Sequence, residues 1–125
     1  QRQMCIRDRV CITLRTGVPY AVIRKRSYGL PGEIALDQRT GYSKSPMYIN
    51  GVSPGTRVAI VDDVVSTGGT LRAVVGALRE AGAVVTEVVA VYSKRKDVSD
   101  LSAELGIPVR YLLAVSSSGG RPALL

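Results

Sequence analysis

The chain has 125 residues, a net charge of +7 and no histidine. That length makes one domain with room for a buried core, and 46% hydrophobic against 22% charged residues is a globular balance, not a disordered one. Without histidine there is no Ser-His-Asp triad, no Cys-His pair and no imidazole metal ligand; without Trp or Phe, base stacking has only six tyrosines to draw on. The two cysteines, Cys5 and Cys11, match no zinc or CxxC spacing and fit a reducing compartment. No apolar run reaches the roughly 18 residues of a membrane helix, and the opening QRQMCIRDR lacks the apolar stretch of a secretion signal. Positive charge gathers in Arg24-Lys25-Arg26 and Lys94-Arg95-Lys96, which suits a polyanion, either nucleic acid or a phosphorylated small molecule.

Residues 1–9 are polar, charged and aperiodic, and are expected to be disordered or foreign to the fold. Val10 to Arg15 reads as the end of a helix that stops at Thr16-Gly17. The apolar run Val18 to Ile23, VPYAVI, predicts a first buried strand. Ser27 to Pro46 has no sustained period and holds Gly29, Pro31, Gly32 and Gly41; a stretch of that length is expected to be a lid or binding loop. Met47 to Asn50 reads as a short strand, with turns at Asn50-Gly51 and Pro54-Gly55. Arg57 to Val61, RVAIV, is a second buried strand ending in Asp62-Asp63. Leu71, Val74, Val75 and Leu78 fall at i, i+3, i+4 and i+7 and predict a helix from Thr70 to Ala81, capped by Gly82. Val84 to Tyr92 is a third strand, Val98 to Leu105 a short helix capped by Gly106, and Pro108 to Val115 a fourth strand. Ser116 to Leu125 is expected as a flexible tail, leaving 10–115 as the domain. Strands that are apolar throughout and alternate with helices give an α/β fold, a mainly parallel sheet flanked by helices.

The densest chemistry lies in Val58 to Thr70, VAIVDDVVSTGGT. A buried strand runs into two carboxylates, a turn rich in hydroxyls and glycine follows, and a helix begins. Ligands of open parallel sheets bind at the carboxyl ends of strands. Free N–H groups and the positive end of a helix suit a phosphate. Gly68 and Gly69 let the backbone approach it, and Ser66, Thr67 and Thr70 add hydroxyl donors. Asp62 and Asp63 beside such a cradle fit a polyol or a cation next to the phosphate. A ribose 5-phosphate would set its 2′- and 3′-hydroxyls there, and Mg2+ takes carboxylate and substrate phosphate together. A nucleoside triphosphatase would need GxxxxGKS or GxxxxGKT, and no lysine stands between Ser66 and Thr70. Helix capping alone explains one hydroxyl, not two Asp, three hydroxyls and two Gly within nine residues.

This stretch resembles the phosphoribosyl pyrophosphate (PRPP) motif of type I phosphoribosyltransferases. Val22 to Arg26 followed by Leu30-Pro31-Gly32 resembles adenine phosphoribosyltransferases. The longer IRKRSYGLPGEIALDQRTGYSKSPMYINGV is most similar to archaeal hypoxanthine/guanine phosphoribosyltransferase-like proteins. The resemblance runs from Val10 to Val115. It implies a type I phosphoribosyltransferase fold, N-terminally truncated, since family members carry a longer first region. It implies a purine-salvage enzyme that transfers 5-phosphoribosyl from PRPP to hypoxanthine or guanine, giving IMP or GMP and pyrophosphate. Adenine as the base, or a non-catalytic PRPP-sensing regulator on the same fold, are the alternatives left open.

Carried over residue by residue, the resemblance makes Asp62 and Asp63 the catalytic carboxylates at the ribose. Ser66, Thr67, Gly68, Gly69 and Thr70 complete the PRPP site. Arg24, Lys25 and Arg26 become pyrophosphate contacts, Tyr42 and Lys44 lid residues, and Lys94 a base contact donating to a 6-oxo group. Mg2+ is the implied cofactor, held mainly through PRPP, with Asp62 and Asp63 as the protein's own candidates. The family's acidic proton acceptors are unmatched, because Ser66 stands at one such position and Gly41 near the other; Asp63, Asp37 and Glu33 are the candidates. The implied setting is the cytoplasm, as a homodimer, with PRPP and a purine base as partners and neither nucleic acid nor membrane.

Overall fold

The computed structural model describes residues 2–36, 46–118 and 121–124. In chain order the elements are α1 (Arg2–Thr16), β1 (Ile34–Leu36), β2 (Met47–Ile49), β3 (Arg57–Val65), α2 (Gly69–Glu80), β4 (Val84–Ser93), α3 (Ser99–Leu105), β5 (Val109–Ser118) and β6 (Arg121–Leu124). They fall into two compact units, Gln1–Val58 with Gly69–Val85, and Ala59–Gly68 with Thr86–Leu125.

The first unit opens with a helix where 1–9 was expected to be disordered. From Arg2 no Gly or Pro intervenes before Gly17, and Arg, Gln, Met and Leu are good helix formers. Gly17 stops the helix at φ 70°, its N–H on the Thr13 carbonyl at 2.8 Å. The strand expected over Val18 to Ile23 does not form. Pro19 has no N–H to donate, and pairing starts only at Arg24, which exchanges backbone bonds of 2.9 and 2.7 Å with Tyr48. The Ser27–Pro46 stretch is not structureless among its described residues. It contains β1, which pairs antiparallel with β2, Ile34 opposite Ile49.

Helix α2 lies against β1 and buries Leu71, Val74, Val75 and Leu78, the four residues its spacing predicts. Met47, Ile49 and Val52 complete this core. The helix ends in a left-handed turn at Gly82 (φ 81°). There the Ala83 N–H reaches the Leu78 carbonyl and the Gly82 N–H reaches that of Arg79, both at 2.9 Å.

The second unit holds the sheet, ordered β3-β4-β5-β6. Its first three strands are parallel, Val88 standing opposite Val109. The tail expected to be flexible instead continues β5 to Ser118 and returns as β6, antiparallel, Val115 opposite Leu124. Helix α3 is entered through Asp97, whose carboxylate accepts the Ser99 N–H at 2.8 Å and the Ser99 hydroxyl at 2.9 Å. It lies against β5, tied by the Val109 N–H on the Ser102 hydroxyl at 3.0 Å, and buries Leu101 and Leu105. Val65, Val88, Ala90 and Val109 are buried in the same unit. No helix among the described residues is long and apolar enough to cross a membrane.

Candidate active site

Strand β3 does not end at Val61 as expected but runs through the acidic pair to Val65, because Val64 and Val65 continue the β-branched run. Both carboxylates are therefore strand residues, each half-buried. Consecutive strand positions face opposite sides of a sheet, so the two acids are not equivalent. Asp62 turns Oδ1 onto the Asp63 N–H at 2.9 Å, while the Asp63 carboxylate has no partner among the described residues.

Ser66 and Thr67 follow, both exposed, and then Gly68, buried at φ 82°. Only glycine takes that conformation without strain. Helix α2 starts at the next residue, Gly69, with Thr70 exposed in its first turn. That turn contains no acidic residue, so the positive end of the helix is not neutralised by a side chain of its own first turn.

Lys94 follows directly on β4. Its backbone N–H donates to the Val65 carbonyl at 2.8 Å, one residue before Ser66. The lysine thus stands at the same strand ends as Ser66, as its place after β4 predicts. Its side chain is exposed and has no partner among the described residues. Its neighbours are firmly held. Ser93, fully buried, donates its hydroxyl to the Arg95 carbonyl at 2.8 Å and accepts the Arg95 N–H at 3.1 Å. The Arg95 guanidinium pairs with Asp100 at 2.6 Å and, as the first cause, holds that carboxyl below its usual range. The Tyr111 hydroxyl donates to the Lys96 carbonyl at 2.6 Å. Ser93 and Tyr111 were not singled out from sequence; a lone serine ending the apolar run VVAVY was the only signal.

In the first unit Arg24 is engaged. Its Nη2 donates to Glu33 at 2.7 Å and to Asn50 Oδ1, and its guanidinium lies 4.1 Å from the centre of the Tyr28 ring. The two partners are 16% and 10% exposed, so the pair is largely out of water. Glu33 also accepts the Ser27 hydroxyl and the Tyr28 N–H. Those two bonds, the Ser27 hydroxyl first, and then Arg24 outweigh burial and hold the Glu33 carboxyl below its usual range. A carboxyl held low is a weak proton acceptor, which speaks against Glu33 in that role. Lys25 and Arg26 are exposed and without partners among the described residues. Tyr42, Lys44 and Asp37 lie outside the described residues.

The chain belongs to the phosphoribosyl transferase domain family, which it matches over residues 6–106. It is 52% identical over 105 residues to a hypoxanthine/guanine phosphoribosyltransferase of Methanohalobium evestigatum, covering 84% of this chain and 55% of that protein. It is 56% identical over 91 residues to an HGPRTase-like protein of Halobacterium salinarum, covering 73% and 48%. An adenine phosphoribosyltransferase of Thermoanaerobacter pseudethanolicus shares the fold, with a TM-score of 0.67 at 23% identity over 84% of this chain and 62% of that one. The resemblance read from Val58 to Thr70 is thereby borne out, as is the type I phosphoribosyltransferase fold. The chain spans about half the length of the curated relatives it matches.

Proposed function

We propose that the protein serves purine salvage, moving 5-phosphoribosyl from PRPP to hypoxanthine or guanine and releasing pyrophosphate with IMP or GMP. The observation that carries this reading is the 2.8 Å bond from the Lys94 N–H to the Val65 carbonyl, which sets the Lys94 backbone beside the start of the hydroxyl–glycine turn. The turn from Ser66 to Thr70 takes the 5′-phosphate. Asp63 takes ribose hydroxyls, and Asp62 braces it through its backbone N–H. Lys25 and Arg26 receive the departing pyrophosphate, and Tyr42 and Lys44 belong to the lid. Lysine has three donors and no acceptor, so Lys94 pairs with a 6-oxo group and meets a 6-amino group donor to donor.

Charge develops on the ribose as the bond to pyrophosphate breaks. The work of these residues is therefore positioning and electrostatics, with no covalent intermediate on the protein. Among the described residues no three His, Cys, Asp or Glu side chains could hold a metal together. The fitting arrangement is Mg2+ brought by the PRPP phosphates, with Asp62 and Asp63 as the carboxylates beside the turn. When bound, it neutralises charge on the leaving pyrophosphate. Asp63 and Asp37 are the remaining candidates for the proton acceptor. The cytoplasm and a homodimer are the setting we propose by family likeness.

The test is turnover of radiolabelled hypoxanthine, guanine and adenine with PRPP and Mg2+. The 6-oxo purines are expected to react fastest. Adenine reacting fastest overturns the choice of base, and PRPP binding without turnover of any base moves the reading to a PRPP-sensing regulator.

A further inference from the structure

We infer that Ser93 is the positioning residue for Lys94, and that its buried hydroxyl sets how sharply the site separates 6-oxo from 6-amino purines. The inference rests on the base-binding reading of Lys94. A lysine ammonium is a compact charge on a flexible stem, so where it can reach depends on how firmly its own backbone is fixed. Lys94 is fixed from both sides. Its N–H is bound to Val65, and the residues either side of it, Ser93 and Arg95, are closed into a turn by one hydroxyl with two bonds, 2.8 and 3.1 Å.

Ser93 is 0% exposed and is the only buried polar residue recorded among the described residues. Burying a hydroxyl at the end of an apolar strand is unfavourable unless it is bonded. Both of its bonds go to Arg95, and none to the sheet. The hydroxyl therefore shapes the turn that presents Lys94 and contributes nothing to pairing between strands. Tyr111 holds the far end of the same segment through the Lys96 carbonyl.

Ser93→Cys adds only the larger sulfur but replaces the hydroxyl with a weak donor and acceptor, while Ser93→Thr keeps the hydroxyl. IMP and AMP are titrated by calorimetry into the wild type and both variants, with thermal midpoints measured alongside. The wild type is expected to prefer IMP. In Ser93→Cys the IMP-to-AMP affinity ratio is expected to fall about fivefold through IMP alone, the low end of what an unmatched polar group costs. Ser93→Thr is expected to keep the ratio. An unchanged ratio in folded Ser93→Cys, or equal losses for both nucleotides, overturns the inference. If Ser93→Cys does not fold, Tyr111→Phe decides: a shift of the ratio in the same direction supports the inference, and an unmoved ratio overturns it. A wild type that binds neither nucleotide, or a ratio that Lys94→Ala leaves unmoved, overturns the reading of Lys94 and the inference with it. A preference abolished by Lys94→Ala but untouched by Ser93→Cys overturns the inference alone.

Discussion

Replacing Asp63 by Asn tests whether the ribose is held by a charge or only by a shape. The Asp63 carboxylate is unpaired among the described residues, whereas Asp62 already accepts the Asp63 N–H at 2.9 Å. A hydrogen bond to a charged group contributes about 1.5–3 kcal/mol and one between neutral groups about 0.5–1.5. Two ribose hydroxyls moved from a carboxylate to an amide therefore lose about 2 kcal/mol together, close to a 30-fold loss of PRPP affinity. Asp62→Asn keeps a carbonyl Oδ1 for the Asp63 N–H and sits on the other face of the strand. Its loss is expected to stay below about tenfold, and the double variant to lose at least as much as Asp63→Asn. The assay is calorimetry with PRPP and Mg2+, beside a thermal melt to show that each variant is folded. Unchanged affinity in folded Asp63→Asn, or a larger loss in Asp62→Asn, would refute the reasoning.

Three further outcomes follow from the geometry. Gly68→Ala forces a side chain into a buried position at φ 82° and is expected to lower stability by about 1–2 kcal/mol, read by urea denaturation, and to weaken IMP. Glu33 has its carboxyl held below the ordinary value, so its ionised form favours the folded chain. That contribution is complete above the ordinary carboxylate range and disappears as pH falls through the lowered value, and Glu33→Gln should flatten the acid limb of a stability–pH curve. Arg24→Ala should lower the thermal midpoint, whereas Lys25→Ala and Arg26→Ala should leave it unmoved and weaken binding of inorganic pyrophosphate; the opposite pattern would reverse the roles assigned to these cations.

Helix α2 was legible because four apolar residues at helical spacing need a core and the fold supplies one. The turn after β3 was legible because its chemistry is contiguous: hydroxyls, glycines and carboxylates within nine residues point to an anion site whatever lies elsewhere. Helix α1 was legible only at its end, where Thr16-Gly17 stops it; its first turns over residues 2–9 were not, since a polar helix has propensity but no apolar stripe to mark it. Val18 to Ile23 was misread because an apolar run does not distinguish a strand from a coil when its partner lies far along the chain. Strand β6 was hidden by the composition of SSSGGRPALL, which reads equally as a tail. The partners of Arg24 were beyond sequence reasoning for a related cause. They stand nine and twenty-six positions away, and only the pairing of Arg24 with Tyr48 brings Asn50 within reach.

The two basic triplets share a plan that changes the meaning of the +7 charge. In each, one arginine is bound to an acid of its own unit, Arg24 to Glu33 and Arg95 to Asp100. The other members, Lys25 and Arg26 in one and Lys94 and Lys96 in the other, are exposed. A guanidinium presents a planar fork that matches a carboxylate, so it serves as an anchor, while an ammonium is a strongly hydrated point charge suited to a changing ligand. A nucleic-acid surface needs many unpaired cations spread along a groove with aromatic rings between them. Among the described residues the one aromatic ring seen stacked on a triplet cation, that of Tyr28, lies against the anchored Arg24 and not against an open cation. What the triplets offer is a few free charges on short segments held in place by their own arginines. That scale suits the pyrophosphate we propose as their ligand.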